Sequence, residues 1–163
     1  MANALRRFEN FARLAHRVSD QPNEATQSLH PFELRNIETS LPSKVRNLFD
    51  NGHYAEATFE AFKFLDKLVA KKSGISKSGE ALMMDAFKED NPAICLSAFS
   101  GTSGKDEQRG YRFLFAGGIV GIRNPRGHEH SIIDSPDVCL DHLVFASMLA
   151  RKVKEQPRRV DQA

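Results

Sequence analysis

The stretch His53-Tyr54-Ala55-Glu56-Ala57-Thr58-Phe59-Glu60-Ala61-Phe62-Lys63-Phe64-Leu65-Asp66-Lys67-Leu68-Val69-Ala70-Lys71-Lys72 decides the fold class. Tyr54, Ala57, Ala61, Phe64, Leu65, Leu68 and Val69 recur at spacings of three and four, which places them on one face of a helix. Gly74 supplies the stop. Phe59 and Phe62 fall elsewhere on the wheel, so this helix is expected to be covered on more than one side, as the central helix of a bundle.

Working outward, Leu41-Pro42-Ser43 opens a short helix that ends near Asn51-Gly52, and a second short helix is expected over about 80–88, closed by Asn91-Pro92. Residues 94–100 read equally as a brief strand or a helical turn, and Gly101-Thr102-Ser103-Gly104 as a flexible loop. A further helix is expected over 106–123, with Tyr111, Leu114, Phe115, Gly118, Ile119 and Ile122 in line. Gly117, Gly118 and Gly121 weaken it by about 1 kcal/mol each relative to alanine, which close approach by a neighbouring helix or subunit would offset. Pro125 disfavours helical geometry at Asn124, so this helix is expected to end at Arg123. The last helix starts with Ser135 as N-cap, Pro136 at the first position and Asp137 against the positive helix end. In the N-terminal stretch, Leu5, Phe8, Phe11, Ala12 and Ala15 predict one more amphipathic helix over 2–18. Alternating strand patterns, repeats and low-complexity tracts are absent from the sequence. The expectation is all-α: an up-and-down bundle of four main helices over 29–155, an N-terminal helical extension over 1–28, and a basic tail over 156–163.

A chain of 163 residues suits one domain, and 40% hydrophobic with 27% charged residues is the ordinary globular balance. No apolar run reaches the ~18 residues needed to span a membrane. Arg6, Arg7, Glu9, Arg13 and Arg17 interrupt the start where a secretory signal would be apolar, and cytoplasm is the expected compartment. Cys95 and Cys139 stand far apart and read as two small buried side chains. The net charge is only +2, but Arg151, Lys152, Lys154, Arg158 and Arg159 crowd the C-terminal end. They read as a phosphate-facing patch or as a solvated tail.

Titratable and cationic groups concentrate in Arg123-Asn124-Pro125-Arg126-Gly127-His128-Glu129-His130, expected as a helix-terminal loop. Histidine exchanges a proton near neutral pH, arginine offers phosphate a planar fork of donors, and asparagine both donates and accepts. Together they suit cleavage of an RNA phosphodiester, in which a base takes the 2′-hydroxyl proton, an acid protonates the 5′-oxygen and a cation stabilises the phosphorane-like charge. His128 alone does not serve as both acid and base in one concerted step. A two-fold dimer with its glycine-rich face over 117–121 as a helix contact would supply a second copy of the site.

Arg123-Asn124, three intervening residues and His128 resemble the Arg-Asn-x-x-x-His signature of the HEPN superfamily, helical bundles that include many metal-independent RNases of toxin and antiviral systems. Asp106 to Gly110, Leu114 to Gly117 and Ile122 to Pro125 look like its prophage- and defence-associated branch; His53-Tyr54, Ala57, Glu60-Ala61 and Leu65-Asp66 resemble its earlier bundle helix. The likeness covers residues 30–155. It implies that Arg123 and His128 are catalytic and Asn124 supportive, with no metal or other cofactor and a cyclic phosphate product. Arg126 and His130 become the expected substrate-binding residues. RNA, a second copy and an antitoxin or other defence-system protein become the expected partners. The alternative is a catalytically silent bundle of the same type that binds nucleic acid or a regulatory partner. One type of relative carries a tyrosine two places after the histidine, where a partner enzyme attaches nucleotide; His130 stands there, so that regulation does not transfer.

Other signals carry less. His128-Glu129-His130 lacks a third cluster of metal ligands in the sequence. Ser100 to Lys105 is not a phosphate-binding loop, because Phe99 replaces the first glycine and Asp106 the magnesium-holding hydroxyl. Glu60 and Asp66 read as salt-bridged or solvated in preference to orienting Arg123.

Overall fold

The structure, a computed structural model, describes residues 29–129 and 131–155; the expected N-terminal helix, His130 and the basic tail lie outside the described residues. The unit from Pro31 onward is an all-helical bundle. Its elements are α1 (Pro31–Leu34), α2 (Ser43–Asp50), α3 (Tyr54–Ser73), α4 (Gly79–Ala86), α5 (Gly101–Gly117), a π-helical segment (Gly118–Arg123), α6 (Asn124–His128) and α7 (Pro136–Lys154). No strand occurs among the described residues, so the ambiguous stretch 94–100 resolves as an extended connection.

Helix α3 is the centre. Ala57, Ala61, Leu65 and Val69 are buried on its predicted face, and Phe62 is fully buried on another. It packs chiefly against α7 and α2, and also meets α4, the π segment and α6. Gly74 closes it in the left-handed conformation at φ 70°, and its N–H donates to the Ala70 carbonyl. The Asp66 carboxylate then accepts from the Gly79 N–H at 2.6 Å, which caps the first turn of α4. On α7, Ser135 is the N-cap as read, accepting from the Val138 N–H. Ser147, fully buried, accepts from the Glu38 N–H at 2.9 Å and donates to the Leu143 carbonyl at 2.6 Å, tying the segment after α1 to α7.

The flexible loop expected over 101–104 is instead the first turn of α5. Gly104 is buried there, and a Cβ in its place would overlap the Phe99 carbonyl, so the glycine serves close packing rather than mobility. The connection before α5 is held by Gln108, 3% exposed, whose Oε1 accepts from the Leu96 N–H (2.8 Å) and whose Nε2 donates to the Ile94 (3.0 Å) and Phe87 (3.3 Å) carbonyls. One amide thereby satisfies three main-chain groups that a strand ladder would otherwise have to serve.

The end of the long helix also departs from expectation. It does not stop at Arg123. Gly117, Gly118, Arg123 and Asn124 all keep right-handed helical angles, and the chain stays helical to His128. The Asn124 N–H donates to the Ile119 carbonyl, five residues back, where an α-helix would use four. This one wide turn lets the chain carry Pro125 without an α-type bond at the position where proline has no donor. The π segment lies against α3 and α7: a Cβ on Gly118 would sit 2.8 Å from Phe62 Cε1 and 3.2 Å from Phe145 Cε1. The expected compensation therefore holds within the chain for Gly118, while no described residue comes within 4 Å of a would-be Cβ on Gly117 or Gly121.

Gly118→Ala should lower stability by about 1–3 kcal/mol through overpacking against the two rings. Gly117→Ala should raise it by up to about 1 kcal/mol. Thermal or denaturant unfolding of the two variants against the parent checks the opposite signs.

Candidate functional site

The π segment and α6 present the Arg123–His128 motif as a helical surface rather than a loop. Arg123 is half-buried at the end of the π segment. Its Nη1 donates to Asn124 Oδ1 at 2.9 Å, and its Cζ lies 5.2 Å from the centre of the Phe59 ring on α3. Its Nε is buried and has no hydrogen-bond acceptor among the described residues. A buried donor left without a partner costs about 1–3 kcal/mol and marks a place to look for function. Asn124 is held by the same contact, with its carbonyl oxygen turned to the guanidinium and its amide group left to donate. His128 is exposed on the last turn of α6, four residues after Asn124, so these two side chains project from the same side of the helix. Phe59 also explains Gly127, where a Cβ would stand 2.7 Å from Phe59 Cε2.

Arg126, the other cation of the motif, is paired within the chain. The sequence placed it on substrate as a loop cation, but its side chain is 10% exposed and forms a two-pronged ion pair with Asp134, itself 5% exposed. Nε and Nη2 each lie 2.6 Å from a carboxylate oxygen, and Nη1 donates to the Ile122 carbonyl at 2.8 Å. Each of its three nitrogens thus has one partner within the chain. Arg126 fastens α6 to the entry of α7, and little of its side chain is open to a ligand. Asp134 was missed because an acid just ahead of an N-cap reads as a solvated turn residue. His130, the other expected substrate contact, lies outside the described residues.

Cys139 and His142 lie within electrostatic reach of this ion pair. Cys139 is buried beside Thr58, and burial foremost, with Asp134 nearby, pushes its thiol up to about 11. It is an inert packing group. Cys95 is exposed, so only one of the two cysteines is the small buried side chain the sequence suggested. His142 has a buried Nδ1 without a partner among the described residues. Burial first and the Arg126 charge second lower its pKa, against the opposing pull of Asp134 and Asp141.

The remaining candidates are structural. Glu60 pairs with Lys44 (2.9 Å) and Lys63 (3.2 Å), and Asp66 caps α4, so neither orients Arg123. The basic end of α7 is likewise occupied: Lys152 meets Glu107 at 3.1 Å, Lys154 meets Glu38 at 3.0 Å, and Arg151 donates to the Asn36 carbonyl at 3.1 Å. Arg158 and Arg159 lie outside the described residues. Among the described residues no group of three or more His, Cys, Asp or Glu is placed to hold a metal ion. No helix among them is long and apolar enough to cross a membrane.

Residues 35–153 match the model of a family described as a protein of unknown function, Hypoth_ymh, and the chain belongs to that family. The match contains every element from α2 to the π segment and α6, and nearly all of α7. No curated protein and no solved structure matches the chain.

Removing one partner of the buried pair leaves the other charge stranded, so Asp134→Asn should cost about 3–5 kcal/mol, measured by chemical denaturation. His142 makes a separate contribution. Its folded pKa lies below the unfolded value of 6.5, so the unfolded chain binds the extra proton and stability falls as pH drops through and below 6.5. His142→Gln should flatten the stability profile between about pH 7 and pH 5; an unchanged slope in urea titrations across that range would remove His142 from the account.

Proposed function

We propose that this protein is a metal-independent endoribonuclease of HEPN type that acts as a toxin or antiphage defence effector, with an active site composed across two copies of the chain. The observation that carries the reading is the arrangement of the motif. Arg123 is held between Asn124 and the Phe59 ring, while His128 is exposed one helical turn beyond Asn124. A permanently charged, oriented guanidinium and an accessible imidazole on one short helical stretch are groups that phosphodiester transfer can use.

In the proposed reaction a histidine takes the 2′-hydroxyl proton while the 2′-oxygen bonds to phosphorus. The bond from phosphorus to the 5′-oxygen breaks, and a second acid gives that oxygen its proton. Arg123 stabilises the charge on the non-bridging oxygens, and Asn124 donates to the substrate or holds Arg123. The products are a 2′,3′-cyclic phosphate and a 5′-hydroxyl, with no net gain or loss of protons. His128 fills one of the two proton-transfer roles, and His128 of a second copy fills the other.

The second copy is assigned to the outer face of α5 and the π segment. Phe113 (51% exposed), Leu114 (44%) and Val120 (44%) form an apolar strip there. Gly110, Gly117 and Gly121 add places where a Cβ would meet nothing within 4 Å, so another helix can approach the backbone closely. The strip runs to Gly121, two residues before Arg123, and in this proposal a two-fold axis at the strip brings the two motifs to one cleft. The reading also assigns the chain an antitoxin or other defence-system protein as partner.

The purified chain, incubated with RNA in excess chelator, should cut it and leave cyclic phosphate ends. His128→Ala and Arg123→Ala should each lower the rate by about 10²-fold or more. Leu114→Glu should yield a folded monomer by sedimentation that has lost cleavage. Retained RNA binding with no cutting of any RNA by the intact chain would replace the enzyme with a binding module of the same architecture.

A further inference from the structure

Phe59 stands apart from the other large aromatics of α3. Phe62 is fully buried in the core and Phe64 packs against it, whereas Phe59 is only partly buried and outside the core cluster. Its surroundings are cationic and backbone: Arg123 Cζ at 5.2 Å from the ring centre, Lys63 Nζ at 5.9 Å, and the Gly127 position at the ring edge. An aromatic ring so placed adds little to the core. It does restrict what lies against it, because a guanidinium near an aromatic ring within about 6 Å is held by the ring quadrupole.

We propose that Phe59 is a positioning residue that sets the plane of the Arg123 guanidinium for an anionic phosphodiester oxygen; this rests on the nuclease reading of the motif. Two restraints converge on that one side chain, next to a donor that lacks a partner. The ring attracts the guanidinium from α3, Asn124 Oδ1 accepts from Nη1, and the buried Nε is turned away from solvent with no acceptor among the described residues. Among the described residues the donors on Nη2 meet no acceptor and remain for an anion. Gly127 belongs to the same device, since a Cβ within 2.7 Å of Cε2 would push the ring out from its place beside Arg123. A leucine at 59 would fill similar volume while removing the ring quadrupole. A tyrosine or tryptophan would keep it.

Arginine side-chain NMR tests the geometry independently of any activity. In the intact chain the Arg123 Nε–H resonance should be displaced by the ring current. Phe59→Leu should return it toward the ordinary arginine position, while Phe59→Tyr should retain it, with the amide fingerprint of both variants native. For function, Phe59→Leu should lower kcat about 10- to 100-fold with KM changed less than twofold, Phe59→Tyr should stay near the parent, and Phe59→Leu should add nothing in an Arg123→Ala background. A resonance unmoved by Phe59→Leu overturns the proposal, as does a moved resonance with cleavage unchanged. If the intact chain cuts no RNA, the nuclease reading fails by itself, and a non-cleavable 2′-deoxy oligonucleotide becomes the probe. Its shift of the Arg123 signal should be at least halved in Phe59→Leu, and an undiminished shift overturns the positioning role.

Discussion

A guanidinium and a carboxylate that leave water together must satisfy each other almost completely, because each alone would cost several kcal/mol in the interior. Arg126 and Asp134 do so with two bonds of 2.6 Å, and the third arm of the fork goes to the Ile122 carbonyl. The consequence is geometric more than energetic. A planar, two-pronged contact fixes both distance and orientation between the end of α6 and the entry of α7. Among its described residues the stretch between them contains no regular element, and the ion pair supplies the constraint that a longer helix or a strand would have provided. Everything the motif presents outward is referred to this anchor and to the packing of Gly118 on Phe62 and Phe145.

The wide turn before the motif works with that anchor. A proline in an α-helix removes a donor and presses its ring on the carbonyl four residues back. The usual solution is to end the helix. Here the segment Gly118–Arg123 takes an extra residue into its turn, and the helix continues through Asn124 and Pro125 to His128. Because one inserted residue rotates all that follows by about 100°, the π turn decides which side of the helix carries Asn124 and His128. The same rotation lets Arg123 reach Phe59 while Arg126 turns to Asp134.

How much of this was legible beforehand depends on the kind of signal. Periodicity found α3 and its coverage on two sides, and capping chemistry found the start of α7 at Ser135. Those are local patterns, written in adjacent residues. The helical path through Pro125 was not legible, since the rule about residues before proline is local and was outweighed by packing at Gly118. Gly104 looked like flexibility and is close packing; nothing in its neighbours announces the Phe99 carbonyl above it. At the site, the motif itself was readable, but the roles within it were not. Two arginines three residues apart look alike in sequence. Only the fold separates Arg123, beside an aromatic ring, from Arg126, whose carboxylate partner comes eight residues later and whose side chain is largely buried.

That separation alters how the surface looks to a polyanion. In sequence the motif is doubly basic, and a strand of nucleic acid meeting it would be expected to shed counterions for both arginines. Asp134 cancels one of those charges internally. Among the described residues this leaves a single uncompensated guanidinium in the motif, and counterion release from any bound single strand would scale with a log–log salt slope of about −0.7 in place of twice that. Attraction at the motif is then weak and short in range. Recognition of any such ligand falls to shape and to the few directed donors around Arg123, rather than to accumulated charge.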